Sequence, residues 1–222
     1  IVLAVSDGHG SPKCFRSGRG AIFAADIASQ TTARFLKEMG DRAASIVKRE
    51  AETRLPVDIV NAWLKKVDAD IRKKPFTTAE LEHLDHAAGV AARTALERGD
   101  TKEKTLSYGA TLLLAAVAPD YAFFLQLGDG DILTVWDHTA QTEVEAPLPE
   151  DPALIANETT SLCMPSAQRL FRFRFQCFQG IPPALILLST DGYANSFPAT
   201  SDFHKVGSDL LQILRSESKQ GG

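Results

Sequence analysis

The stretch "YGATLLLAAVAPDYAFFLQLGDGDILTVWD", residues 108–137, decides the fold. It breaks into "YGATLLLAAVA", "YAFFLQLGDG" and "DILTVWD", short apolar runs rich in aliphatic and aromatic residues, parted by Pro, Gly and Asp. Runs of that length between turn formers read as successive β-strands. Two more follow downstream, "RLFRFRFQCF" at 169–178 and "ALILLSTDG" at 184–192. In the first of these Phe171, Phe173, Phe175 and Cys177 alternate with Arg172, Arg174 and Gln176, the pattern of a strand with one buried face and one wet face.

Upstream the period changes. Ala21, Ala25, Ala28, Thr32 and Phe35 recur at helical spacing up to Gly40, a C-cap residue, so one long helix with small residues on its inner face is predicted. A charged stretch, 41–54, leads into an amphipathic helix on Val57, Val60, Leu64, Val67 and Ile71, ended by Pro75. A third helix is expected over about 78–98. The chain opens with another apolar strand, "IVLAVS", and near its end "KVGSDLLQILRSE" reads as a last helix. Residues 146–168 read as an irregular connection, with Glu150 and Asp151 at a loop tip. Strand, helices, a run of strands and a helix are segregated rather than alternating, which is an α+β order. There is no internal repeat, and 1–222 reads as a single domain.

Composition narrows the function. The 222 residues are 44% hydrophobic with a net charge of −4, and a mildly acidic chain without a Lys/Arg block is a poor nucleic-acid binder. The longest apolar runs, "LLLAAVA" and "ALILL", fall far short of the roughly 20 residues that span a bilayer, so no membrane role is expected. Cys14, Cys163 and Cys177 are scattered without a C-x-x-C pair, which suits a reducing, cytoplasmic setting better than a disulfide framework or a zinc site. The chain starts inside a strand at Ile1 without a Met, and residues upstream of it and after Gly222 are expected in the natural protein.

Asp-Gly follows a strand three times: Asp7-Gly8, Asp129-Gly130 and Asp191-Gly192. Each pair is also a favoured hairpin turn. If the strands end on one edge, however, three carboxylates meet at one mouth and their repulsion calls for a cation. Oxygen ligands without clustered Cys or His select Mg²⁺ or Mn²⁺ over zinc. Arg16 and Arg19 in "FRSGRG" lie just beyond the first pair, where guanidinium forks could grip a phosphate or simply serve as loop cations and helix-start contacts. His83 and His86 are three apart on a helix and read as a solvated face, since no third ligand is near. Ser189 lacks a nucleophile elbow and no P-loop is present, which disfavours covalent hydrolase and nucleotide-binding chemistry.

"AVSDGHGS", "YGATLLLAAV", "LQLGDGDILTV" and "LILLSTDGYANSF" occur in the order and rough spacing of the type 2C metal-dependent protein Ser/Thr phosphatases, and the chain resembles that family over nearly all of 1–215. "DGHGSPKCFRSGRGA" and "STDGYANSF" look like its bacterial branch of small stand-alone domains. The resemblance implies a four-layer α-β-β-α sandwich of two antiparallel sheets flanked by helices, with a binuclear Mg²⁺ or Mn²⁺ centre in a cleft at one end. By motif match Asp7 resembles the carboxylate that bridges both ions and Gly8 the residue whose carbonyl binds one. Asp191 resembles a further ligand, Asp129 the acid associated with a third, weaker ion, and His9 the general acid. Two ions on the order of 4 Å apart would lower the pKa of a bridging water and clamp the phosphoryl oxygens.

The resemblance also implies a phosphorylated protein substrate, a cognate Ser/Thr kinase as partner and a place in bacterial signalling; it says nothing of the oligomeric state. The chain departs from the family where Gly-Asp-Ser-Arg becomes "GDGD", with Asp131 where an Arg often lies, and in lacking an Asp-Asp or Asp-Asn motif before its end. The alternative is therefore an inactive phosphatase-like module that docks a phosphorylated partner or a kinase.

Overall fold

The computed structural model describes residues 1–138, 141–149 and 159–220. Glu150 and Asp151, expected at a loop tip, lie outside the described residues. The chain begins with β1 (Val2–Val5), then runs through six helices: α1 (Ser17–Met39), α2 (Ala44–Thr53), α3 (Leu55–Lys73), α4 (Thr78–Ala88), α5 (Val90–Glu97) and α6 (Thr101–Leu106). Four strands follow, β2 (Leu112–Val117), β3 (Tyr121–Leu127), β4 (Asp131–His138) and β5 (Gln141–Glu145), and then β6 (Arg172–Cys177), β7 (Leu185–Ser189), α7 (Asp191–Ala194) and α8 (Thr200–Gln220).

The strands form two antiparallel sheets, β1-β2-β3-β6 and β5-β4-β7. On one side of the first sheet lie α1, α2 and α3; on the far side of the second lies α8. The architecture is thus a four-layer sandwich of helices, two sheets and a helix. Both faces of β2 are covered, which is why its sequence is apolar throughout: Leu112, Leu114 and Ala116 pack towards the helices, while Leu113 and Ala115 pack into the space between the sheets. Phe123 and Leu125 of β3 face the helices, and Phe124 faces the second sheet. Among the described residues no helix is long and apolar enough to cross a membrane.

Three expectations change, and one strand is new. The third helix breaks at Gly89, whose φ of +84° suits glycine, so 78–98 is two helices. On α3 the inner face is set by Leu55, Ile59, Val60, Trp63 and Val67, with Val57 turned outward, because Trp63 anchors the helix by donating its indole N–H to the Gly20 carbonyl at 3.0 Å. The new strand is β5, whose residues QTEVE hold a single aliphatic side chain, Val144. The Arg172, Arg174 and Gln176 face of β6 is not simply wet. Phe173 and Phe175 face the helix layer, so the polar face turns towards the second sheet, where Gln176 Nε2 donates to Glu145 Oε1 on β5 at 2.8 Å.

Candidate active site

The three Asp-Gly pairs do different structural jobs. Asp7 follows β1, and its backbone is tied to the start of β2: the Asp7 N–H donates to Thr111 Oγ1 at 3.1 Å, and the Thr111 N–H donates to the Asp7 carbonyl at 2.9 Å. Gly8 then lies against the first turn of α1, where a Cβ would stand 2.7 Å from the Ser17 carbonyl carbon. The His9 N–H donates to the Gly109 carbonyl at 3.1 Å, which fixes the histidine beside the same turn.

Asp129-Gly130 is not a hairpin. It carries the chain from β3 in the first sheet to β4 in the second, with Gly128 at φ +107° making the turn. Gln126 holds this crossing from beneath by donating Nε2 to the Gly128 and Gly130 carbonyls, and the Gly128 N–H donates to Thr160 Oγ1 at 2.8 Å. Asp129 Oδ2 in turn accepts from Thr159 Oγ1 at 2.8 Å. Asp191-Gly192 opens α7 straight after β7, and Asn195 Nδ2 reaches Asp191 Oδ2 at 3.4 Å.

These pieces share one neighbourhood. Burial pulls the pKa of His9 below the usual histidine range, and the charges of Asp129 and Asp7 act on it in the opposite direction. Asp131, paired in register with Ser189 at the end of β7, is pushed up by burial and by the charges of Asp191 and Asp129, with His204 and Arg172 opposing. His9 thus feels Asp7 and Asp129, Asp131 feels Asp129 and Asp191, and β1 lies against β7, so the ends of β1, the β3–β4 crossing and β7 open on a common mouth. Asp131 also faces this mouth, with the charges of His204 and Arg172 acting on it, and the "GDGD" repeat is its visible signal in the sequence.

The donor chemistry, carboxylates and a carbonyl, suits a hard cation. The assembly does not: among the described residues no three His, Cys, Asp or Glu side chains stand together closely enough to hold a metal ion. Asp7 is exposed just after the edge strand of the first sheet, while Asp131 begins β4 of the second and Asp191 follows its β7. The residues described do not by themselves fit a preformed binuclear centre.

Arg16 corrects an expectation. It is not a phosphate grip, because all its N–H donors are used inside the fold: Nε and Nη2 hold the two oxygens of Glu80 at 2.7 and 2.9 Å, Nη1 donates to the Lys74 carbonyl and to Tyr108 Oη at 2.8 Å each, and Nη2 also donates to the Pro75 carbonyl at 3.1 Å. Its guanidinium lies 4.4 Å from the Phe76 ring centre. Arg19 likewise forms a two-pronged pair with Asp70, so its fork faces α3 rather than the mouth. Neither contact could be read from the sequence, because Glu80 and Asp70 lie 64 and 51 residues away. His83 and His86 are exposed on α4.

A family model described as protein phosphatase 2C matches residues 1–221, and the chain belongs to that family. No curated protein matches closely enough to count as a relative. Among solved structures the chain is similar to a bacterial serine phosphatase, at 13% identity over 96% of this chain and 78% of that one, with a TM-score of 0.49. It is similar to the serine/threonine phosphatase Stp1 from Staphylococcus aureus at 14% identity over 96% and 78%, TM-score 0.48. The catalytic domain of the serine threonine protein phosphatase PstP, in complex with 2 manganese ions, matches at 11% identity over 95% and 80%, TM-score 0.44. The family assignment stands on the family model.

Proposed function

We propose that this chain is a protein phosphatase that removes phosphate from phosphoserine and phosphothreonine side chains, in a bacterial signalling system that includes a Ser/Thr kinase, in the cytoplasm, with 1–222 acting as one domain. Family membership supports the reaction class, and the single observation that carries it to particular residues is that His9 lies under the electrostatic influence of Asp7 and Asp129, and Asp131 under that of Asp129 and Asp191, where β1, the β3–β4 crossing and β7 end. Mg²⁺ or Mn²⁺ is the cofactor that the family resemblance implies, with Asp7, the Gly8 carbonyl, Asp129 and Asp191 as the oxygens on offer. Because among the described residues no three carboxylates stand close enough to share an ion, the roles assigned to the chain are those of its own groups. A histidine imidazolium at position 9 can protonate the leaving serine or threonine alkoxide, a contribution of roughly 10² to 10⁴ in rate. The carboxylates accept hydrogen bonds from the attacking water and orient it.

The test is release of inorganic phosphate from phosphoserine and phosphothreonine peptides with Mn²⁺ added. His9→Ala and Asp191→Asn are each expected to lower the rate by about a hundredfold or more. Unchanged rates in both variants would remove this mouth from the chemistry. Binding of the peptides without any release would assign the chain the docking role instead.

A further inference from the structure

One wall of the mouth continues into a cavity that the reaction itself does not use. It has a volume of about 520 Å³, and its lining runs from His9 and Cys14 to Leu106, Cys163, Met164 and Pro165, with Lys102 at the rim. A second cavity of about 310 Å³ shares Lys102, Cys163, Met164 and Pro165 with the first and leads on to Val60 and Leu64 of α3. Together they form a path from His9 along α6 and the 161–168 segment to the helix layer.

The lining is mostly apolar, with Ser11, Thr159 and Ser161 as its neutral polar members. Gly109 has no side chain, and a Cβ built there would lie 2.7 Å from the His9 ring and 3.2 Å from each of Cys14 Sγ and Cys163 Sγ, so the bare glycine lets three side chains converge on one wall. Burial pushes the Cys14 thiol up to about 11, with Cys163 adding to the shift. Cys163 is raised by burial as well. Both thiols stay uncharged at neutral pH and behave as small hydrophobes. Met164 is half-buried and Pro165 exposed, so the outer part of the path is offered to solvent, and a methionine there can adapt its shape to different side chains. The positive charge at the rim is that of Lys102, which complements a chain carrying a phosphate.

We propose that this path seats the phosphoprotein substrate on one side of its phosphorylated residue, taking an apolar side chain of the substrate between Cys14, Cys163 and Met164 while Lys102 faces carboxylate side chains further along the substrate. The proposal rests on the phosphatase reading for the identity of the occupant, but it is read by binding rather than by turnover. It assigns the chain a preference for phosphosites with a leucine- or methionine-like neighbour.

The experiment uses fluorescein-labelled phosphoserine peptides, one with leucine on both sides of the phosphoserine and one with serine there, titrated with the whole chain and followed by anisotropy. The leucine peptide is expected to bind about tenfold more tightly, the gain of burying one such side chain in part. Met164→Glu is expected to bring the two peptides within about twofold of each other, because a buried unpaired carboxylate opposes the apolar side chain. Equal affinities in the native chain, or a preference that survives Met164→Glu, would overturn the proposal. A readout that needs no variant is methyl NMR, since the chain has two methionines. The Met164 signal is expected to shift on adding the leucine peptide, while Met39, buried at 1% exposure, stays in place. A shift of neither signal at saturation overturns the proposal too. Phosphate release, measured separately, reports on the phosphatase reading alone.

Discussion

Arg16 and Glu80 are joined at both ends of their forks, Nε to Oε1 at 2.7 Å and Nη2 to Oε2 at 2.9 Å, across 64 residues of chain. Glu80 also completes the N-cap of α4: its carboxylate accepts the Thr77 N–H at 2.8 Å while the Thr77 hydroxyl oxygen accepts the Glu80 N–H at 3.3 Å. One carboxylate thus fixes both the start of α4 and the loop that runs from His9 into α1.

Removing the arginine should therefore be costly. Arg16→Ala is expected to destabilise the fold by about 3 kcal/mol or more, since it strands Glu80 and the Lys74 and Pro75 carbonyls. Arg16→Lys should recover only part of this, because a point-like ammonium cannot fill the same fork. Urea denaturation of the variants measures both.

Acid should loosen the same joint. The Arg16 hydrogen bonds, helped by those from Thr77, hold Glu80 down at about 2, against 4.5 for an unperturbed carboxylate. A carboxyl group whose folded pKa is depressed contributes stability that is complete above its unfolded value and lost as the pH falls through the folded one. Stability should decline between roughly pH 4.5 and pH 2, by on the order of 2 kcal/mol for this group after allowing for its partial exposure. In Glu80→Gln that share of the slope should vanish in pH-dependent urea melts.

Two glycines in the first turn of α1 should respond in opposite ways to the same change. A Cβ on Gly20 would fall 1.8 Å from the Tyr108 carbonyl oxygen, whereas one on Gly18 meets nothing within 4 Å. Gly20→Ala is expected to cost about 3 kcal/mol or to prevent folding. Gly18→Ala should stabilise by about 0.5 to 1 kcal/mol through helix propensity. Thermal melts of the pair decide it.

The three thiols should label in a fixed order. Cys177 is exposed, while Cys14 is buried with its pKa pushed up by its surroundings to about 11. Iodoacetamide near neutral pH is expected to modify Cys177 first and to leave Cys14 and Cys163 largely unlabelled until denaturant is added, as peptide mass mapping would show.

The strands of the sandwich were legible because their burial is local and simple. Residues 112–117 and 121–127 are covered on both faces, so their composition alone marks them. What the sequence hides is whatever depends on a distant partner. The polar face of β6 looks solvated until a second sheet is laid over it, and Val57 looks inward until Trp63 takes the Gly20 carbonyl and turns α3. For the mouth, Asp-Gly after a strand marked Asp7, Asp129 and Asp191, but the place of Asp131 depends on β4 beginning there and pairing with β7. Arg16 and Arg19 had the right charge for phosphate, and only the fold reveals that Glu80 and Asp70 have claimed them.

The mouth straddles the seam between the sheets. Asp7 follows the first strand of one sheet, Asp131 begins β4 of the other and Asp191 follows its β7, and the crossing that holds Asp129 joins the two. The separation of these carboxylates is accordingly a vernier for how the two sheets are offset. Leu113 and Phe124 fill the space between the two sheets, so their size sets the spacing across which the carboxylates of the mouth face each other.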